Sequence, residues 1–158
     1  MARRSPQTFR PICCARHRNS LDHGIEAPAE RLRASKPEQG TLRFKCERRD
    51  DRVELYISDD GRGLALHRLY EKGVASGLFK PGEQPTPDAL ADIIFRSGLS
   101  TSDSVTQVSG RGVGMDAVRT FLKEQGASIR IALKESGQKL GFAPFEFIVD
   151  VPLAACSH

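Results

Sequence analysis

The chain has 158 residues, 39% hydrophobic and 28% charged, a length that suits one domain with a substantial core. No apolar run approaches the roughly 18 residues of a membrane-spanning helix, so neither a span nor membrane contact is expected. The formal charge of +4 does not argue for nucleic acid. Residues 1–18 hold five arginines and no acid, and the other 19 basic residues face 20 acidic ones.

Residues 1–16 are expected to form an irregular or disordered basic arm. They carry Pro6, Pro11 and scattered arginines without an apolar stripe. The acid-free makeup superficially suggests a targeting sequence, but no apolar segment follows Arg3-Arg4. Cys13, Cys14, Cys46 and Cys156 lack metal-ligand spacing, so a reduced, cytoplasmic protein is the expectation. Residues 17–153 are expected to be the folded domain and residues 154–158 a tail.

Asn19 to His23 reads as the end of a helix stopped by Gly24. Pro28 to Ser35 has proline in its first turn and good helix formers, which predicts a short surface helix. Leu42, Phe44 and Cys46 alternate with polar neighbours, as do Val53, Leu55 and Ile57. With the polar stretch Arg48–Arg52 between them, these runs predict an antiparallel hairpin that delivers Asp59 to a strand end.

Leu66, Leu69, Tyr70 and Val74 fall at helical spacing, ending near Gly77. Thr86 and Pro87 mark a helix start, with Leu90, Ile93 and Ile94 on its buried face. Ser97–Ser109 is rich in serine and threonine and is expected to act as a lid. Val113, Ala117, Val118, Phe121 and Leu122 predict an amphipathic helix closed by Gly126. Ile129, Ile131 and Leu133, then Phe145, Phe147, Val149 and Val151, predict two strands joined by the turn region Glu135–Gly141. Two antiparallel hairpins with helices between them indicate an α+β, two-layer sandwich rather than a doubly wound fold.

Three short segments carry chemistry. Asp59-Asp60-Gly61-Arg62-Gly63 places a carboxylate at a strand end, where it can accept the exocyclic amine of a purine. Gly61 and Gly63 would leave room for the base; the plain alternative is an Asp-Gly turn leaving a strand. Gly110-Arg111-Gly112-Val113-Gly114 runs into a helix and can offer backbone N–H groups to phosphate. It is neither a Walker loop nor a Rossmann turn, and alone it is equally a flexible glycine loop. Asn19 and His23 share a helical face; an amide oxygen suits Mg²⁺ and an imidazole suits phosphate, although a polar helix end explains that pair alone.

Taken in order, Arg18–Glu26, Asp59–Leu64, Ile94–Thr101 and Ser109–Asp116 resemble the ATP-binding catalytic domain of histidine kinases. That wider family is shared with DNA gyrase B, MutL and heat-shock chaperones, and within it the chain is most similar to the chemotaxis (CheA-like) kinases. The resemblance covers about Arg18 to Leu153. It implies a Bergerat-type fold: a mainly antiparallel mixed sheet with helices on one face.

It also implies an ATP site. Asn19 would coordinate Mg²⁺, with His23 near phosphate, and Asp59 would bind adenine in a base pocket shaped by Gly61 and Gly63. Lys72 would face the phosphates. Phe95, Ser100 and Thr101 would anchor the lid, while Gly110, Gly112, Gly114 and Met115 would close over the phosphates. The implied partners are a histidine phosphotransfer or acceptor domain and a downstream response regulator.

The chemotaxis subgroup carries a histidine four residues before the asparagine, and here that position is Ala15. The strand and helix that normally precede this motif are also missing, so the resemblance implies an N-terminally truncated domain without an assigned catalytic group. The expected function is γ-phosphoryl transfer from Mg-ATP to a histidine elsewhere. The alternative is a non-catalytic nucleotide-binding module of the same fold. An ATPase of the gyrase or MutL type fits less well, because those place a glutamate before the asparagine.

Overall fold

The computed structural model describes residues 24–96, 99, 114–134 and 141–156. Leu42–Arg49 (β1) and Arg52–Asp59 (β2) pair antiparallel from Leu42↔Asp59 to Arg49↔Arg52. Only Asp50 and Asp51 are left in the turn, which is shorter than the sequence suggests because Arg48 pairs with Val53. Asp50 takes φ +51°, a left-handed conformation that aspartate tolerates better than most residues.

β2 also pairs antiparallel with Phe145–Pro152 (β6), and β6 with Ser128–Leu133 (β4), giving a four-stranded sheet in the order β1-β2-β6-β4. Register explains why one face is apolar. Leu55, Val149 and Ile129 stand in one row, and Ile57, Phe147 and Ile131 in the next. Side chains alternate along a strand, so the intervening rows face the other way. Those rows hold Glu54, Asp150 and Ser128, then Tyr56, Ile148 and Arg130. Arg49 pairs with Glu54 at 2.7 Å, Lys45 with Glu47 at 2.5 Å, and Arg52 with Asp150 on this outer face.

Helices cover the apolar rows. Leu66–Ala75 (α2) buries Leu69 and Gly73; the latter lies so close to Phe79 that a Cβ would meet its ring at 2.5 Å. Pro87–Asp92 (α3) starts as expected, with Thr86 Oγ1 accepting the N–H of Ala89 at 3.2 Å. It runs into a 3₁₀ turn, Ile93–Phe95, whose three residues are all buried. Met115–Glu124 (α4) buries Val118 and Leu122 and ends before Gly126 at φ +69°. These residues join Ile57, Ile129, Phe147, Val149 and Val151 in one core, so the two-layer α+β sandwich with helices on one sheet face is the observed fold. β1 contributes nothing to that core, and Phe44 remains 52% exposed.

Two features depart from the sequence reading. Pro28–Arg33 (α1) is a short helix as expected, but it is not wholly superficial: five of its residues are exposed while Arg31 is fully buried. Leu64–Ala65 (β3) and Phe142–Ala143 (β5) form a second, two-stranded antiparallel ribbon. Strands this short carry no readable alternation, so the ribbon has no periodic signature.

Candidate functional site

β2 carries the chain out of the sheet at Asp59, which is half-buried. Its Oδ1 accepts the N–H of Gly61 at 3.0 Å, an Asx-type turn that fixes the carboxylate at the strand end. The next residues pass between two other stretches of backbone. On one side, the N–H of Arg62 donates to the carbonyl of Gly24 at 3.0 Å, and a Cβ on Gly61 would fall on that carbonyl. On the other, Gly63 takes φ +87°, and a Cβ there would meet the Ala143 carbonyl oxygen at 2.5 Å. Both glycines are therefore required by close backbone approach, and Gly63 also by its left-handed conformation.

A partly buried polar cluster centred on the fully buried Arg31 braces this turn. The Arg31 guanidinium spends all five N–H groups: Nε on the Pro37 carbonyl at 2.6 Å, and Nη1 on Glu26 at 3.2 Å and the Asp60 carbonyl at 3.3 Å. Nη2 reaches the Gln39 carbonyl at 3.2 Å and Asp60 Oδ2 at 3.0 Å. Lys36 Nζ adds Glu26 at 2.7 Å and the carbonyls of Asp60 and Gly61 at 3.0 Å each. Asp60 Oδ1 takes the Thr41 N–H at 2.8 Å, so its carboxylate is turned toward the scaffold.

Burial works to raise both carboxyls of the cluster, yet both end lower than usual. For Glu26 the Lys36 hydrogen bond and the fields of Lys36 and Arg31 outweigh burial. For Asp60 the Thr41 N–H and the Arg31 pairing do so. None of these four side chains was singled out from the sequence. The usable signal was slight: two arginines, Arg31 and Arg33, in a short helix between two motifs, each carrying an acid.

The other expected site residues are spread over the helical layer. Lys72 is half-buried in the last turn of α2. Phe95 is 5% exposed and belongs to the core, edge-on to Phe147 at 6.0 Å with the Arg119 guanidinium 4.8 Å above its ring. Arg119 also pairs with Asp92 at 3.0 Å. Gly114 is the N-cap of α4 and supplies no side-chain cap, so the N–H groups of the first turn have no capping side chain. Met115 opens that helix and packs partly against the core. Ala15, Asn19, His23, Ser100, Thr101, Gly110 and Gly112 lie outside the described residues. Among the described residues no three His, Cys, Asp or Glu side chains are grouped to hold a metal, and no helix is long and apolar enough to cross a membrane.

The chain is 42% identical to the chemotaxis protein CheA of Treponema pallidum over 114 residues, 72% of this chain and 14% of the relative. It is 42% identical to that of Salmonella typhimurium over 118 residues (75% and 17%). With the Bacillus subtilis protein it shares 36% over 138 residues (86% and 20%). It therefore spans only a small part of the length of these curated relatives. Among solved structures, a mycobacterial sensor histidine kinase, MprB, aligns with 73% of this chain and 60% of its own at 19% identity, with a TM-score of 0.41. The family model described as histidine kinase-, DNA gyrase B-, and HSP90-like ATPase matches residues 17–154, and the chain belongs to that family.

Proposed function

We propose that this domain binds Mg-ATP and serves as the catalytic domain of a chemotaxis-type histidine kinase. The observation that carries the reading is the fixed carboxylate of Asp59, held at the strand end by the Gly61 N–H beside two close backbone approaches. A carboxylate in that position accepts the adenine amine, and the two glycines let the Gly24 and Ala143 backbones close in on either side of the turn that carries it. The uncapped first turn of α4, which follows Gly110, Gly112 and Gly114 in the sequence, favours phosphate oxygens. Asp116 in that turn adds negative charge near the same N–H groups, so the phosphates would bind with cationic help. Lys72 suits that role, His23 can approach phosphate, and Asn19 would give Mg²⁺ a hard oxygen ligand.

Bound Mg-ATP supplies an electrophilic γ-phosphorus. A nitrogen of the acceptor imidazole displaces ADP, whose bridging oxygen keeps the electron pair of the broken bond. This chain's part is positioning and charge compensation. The acceptor would be a histidine phosphotransfer domain, in cis or in trans, with a response regulator downstream; the relatives named chemotaxis protein CheA support that assignment. Ala15, where the subgroup carries histidine, favours a second reading: a module that binds nucleotide without turning it over.

The test is twofold. Titration with Mg-ATP should give saturable binding to the chain. Incubation with γ-labelled ATP and a histidine phosphotransfer domain should give acid-labile label on that domain. Binding without transfer supports the second reading, and absence of binding overturns both.

A further inference from the structure

We propose that Arg31 is a positioning residue for base recognition, acting through the Asp60-Gly61 peptide on the carboxylate of Asp59; this rests on the nucleotide reading above. The guanidinium is fully buried, and its five donors meet five acceptors drawn from three places: Glu26, the Pro37 and Gln39 carbonyls, and Asp60. Two of the five bonds fall on Asp60, the neighbour of Asp59. Lys36 holds the next carbonyl, that of Gly61. The N–H of that same glycine fixes Asp59 Oδ1. Arg31 and Lys36 both hold the Asp60 carbonyl, at 3.3 and 3.0 Å, and so together set the plane of the peptide that aims the carboxylate.

Glu26 extends the effect. It lies two residues beyond Gly24, whose carbonyl receives the Arg62 N–H, and it is tied to Arg31 and Lys36 at 3.2 and 2.7 Å. The chain leaving the Asn19 motif and the chain leaving β2 are therefore fastened to one pair of cations. A planar fork is needed, because an ammonium offers three donors and no fixed plane. Burying so polar a group is costly unless every donor is paired, so a simple scaffold would be as well served by an apolar side chain.

The experiment compares the unaltered chain with Arg31→Lys and Lys36→Met for affinity to ATP, ADP and GTP, and for amide exchange without nucleotide. For Arg31→Lys, ATP and ADP should weaken by the same factor, about tenfold, while GTP changes little and the ATP-over-GTP preference contracts. The Gly61 and Arg62 amides should exchange about tenfold faster. Lys36→Met, at a side chain 31% exposed, should move all readouts in the same direction by roughly threefold. A role confined to stability would reduce the number of binding sites and leave the preference intact.

If Arg31→Lys does not fold, Lys36→Met decides. Unchanged preference and unchanged Gly61 exchange in the folded variants overturn the proposal. Failure of the unaltered chain to bind any nucleotide overturns the nucleotide reading and the recognition role together. That outcome is distinguishable, because faster Gly61 exchange in the variants would still mark Arg31 as the brace of the turn.

Discussion

Arg62 donates its backbone N–H to the carbonyl of Gly24 at 3.0 Å. The bond joins the exits of two segments that the sequence presents as separate motifs, one ending at Gly24 and one beginning at Asp59. It uses only backbone atoms, so side-chain identity at residue 62 is free to serve elsewhere; Arg62 pairs with Glu30 at the surface, 2.7 Å away.

Asp59→Asn should weaken ATP binding strongly while leaving the fold in place. The amide can still accept from Gly61 but loses the charge, and hydrogen bonds to charged groups contribute about 1.5–3 kcal/mol. The expected loss is roughly 10- to 150-fold in Kd by calorimetric titration. Unchanged affinity would remove Asp59 from the base site.

Gly63→Ala and Gly77→Ala form a matched pair. Both positions have positive φ, at +87° and +74°, but only Gly63 has a backbone oxygen where the methyl would go, whereas Gly77 faces open space. The left-handed conformation alone costs roughly 1–2 kcal/mol. Gly77→Ala should show about that loss in urea unfolding, and Gly63→Ala a clearly larger one. Equal losses would mean that the Ala143 approach is easily relieved.

Acid should destabilise the brace around Arg31 before neutral pH does anything to it. Glu26 and Asp60 both sit below their ordinary values of 4.5 and 3.8 in the folded chain. Their ionised forms are therefore favoured by folding, and that stability is complete above the unfolded values. It is lost as pH falls through the lower, folded values. Urea midpoints should stay level from pH 7 to about 5 and decline below. Glu26→Gln should flatten that decline; an equally steep decline would assign it to other carboxylates.

Thr86→Ala should cost about 1 kcal/mol, since its hydroxyl caps α3 at the Ala89 N–H. Equilibrium unfolding measures this directly, and Thr86→Ser should recover most of it. A null effect would show that the Pro87 start suffices.

Elements with a period of two or 3.6 were legible because burial repeats along them. Leu55 and Ile57 face the core as expected, and so do Ile129, Phe147, Val149 and Val151. Thr86 and Pro87 announced α3 through local hydrogen bonding and a fixed φ. The glycine box at Asp59 was also legible, since close backbone approach excludes a Cβ whatever lies opposite. What lay opposite was not: Gly24 and Ala143 come from remote parts of the chain. Arg31 was hidden for a related reason. Its burial follows from acceptors on Glu26, Pro37, Gln39 and Asp60, and no periodicity encodes a meeting of loops.

The order β1-β2-β6-β4 also dictates when the domain can exist during synthesis. The hairpin of β1 and β2 can close as soon as it is made, but β2 finds its second neighbour only in β6, with Arg52 and Asp150 standing 98 positions apart. Closing so long a loop is entropically expensive and kinetically slow. Gly63 likewise has nothing to lean on until Ala143 has been translated. A ribosome-bound chain halted before residue 143 would therefore carry the Asp59 turn with its Gly24 and Arg31 contacts but without the Ala143 backbone on its other side. Competence arrives late and all at once, with the last strand.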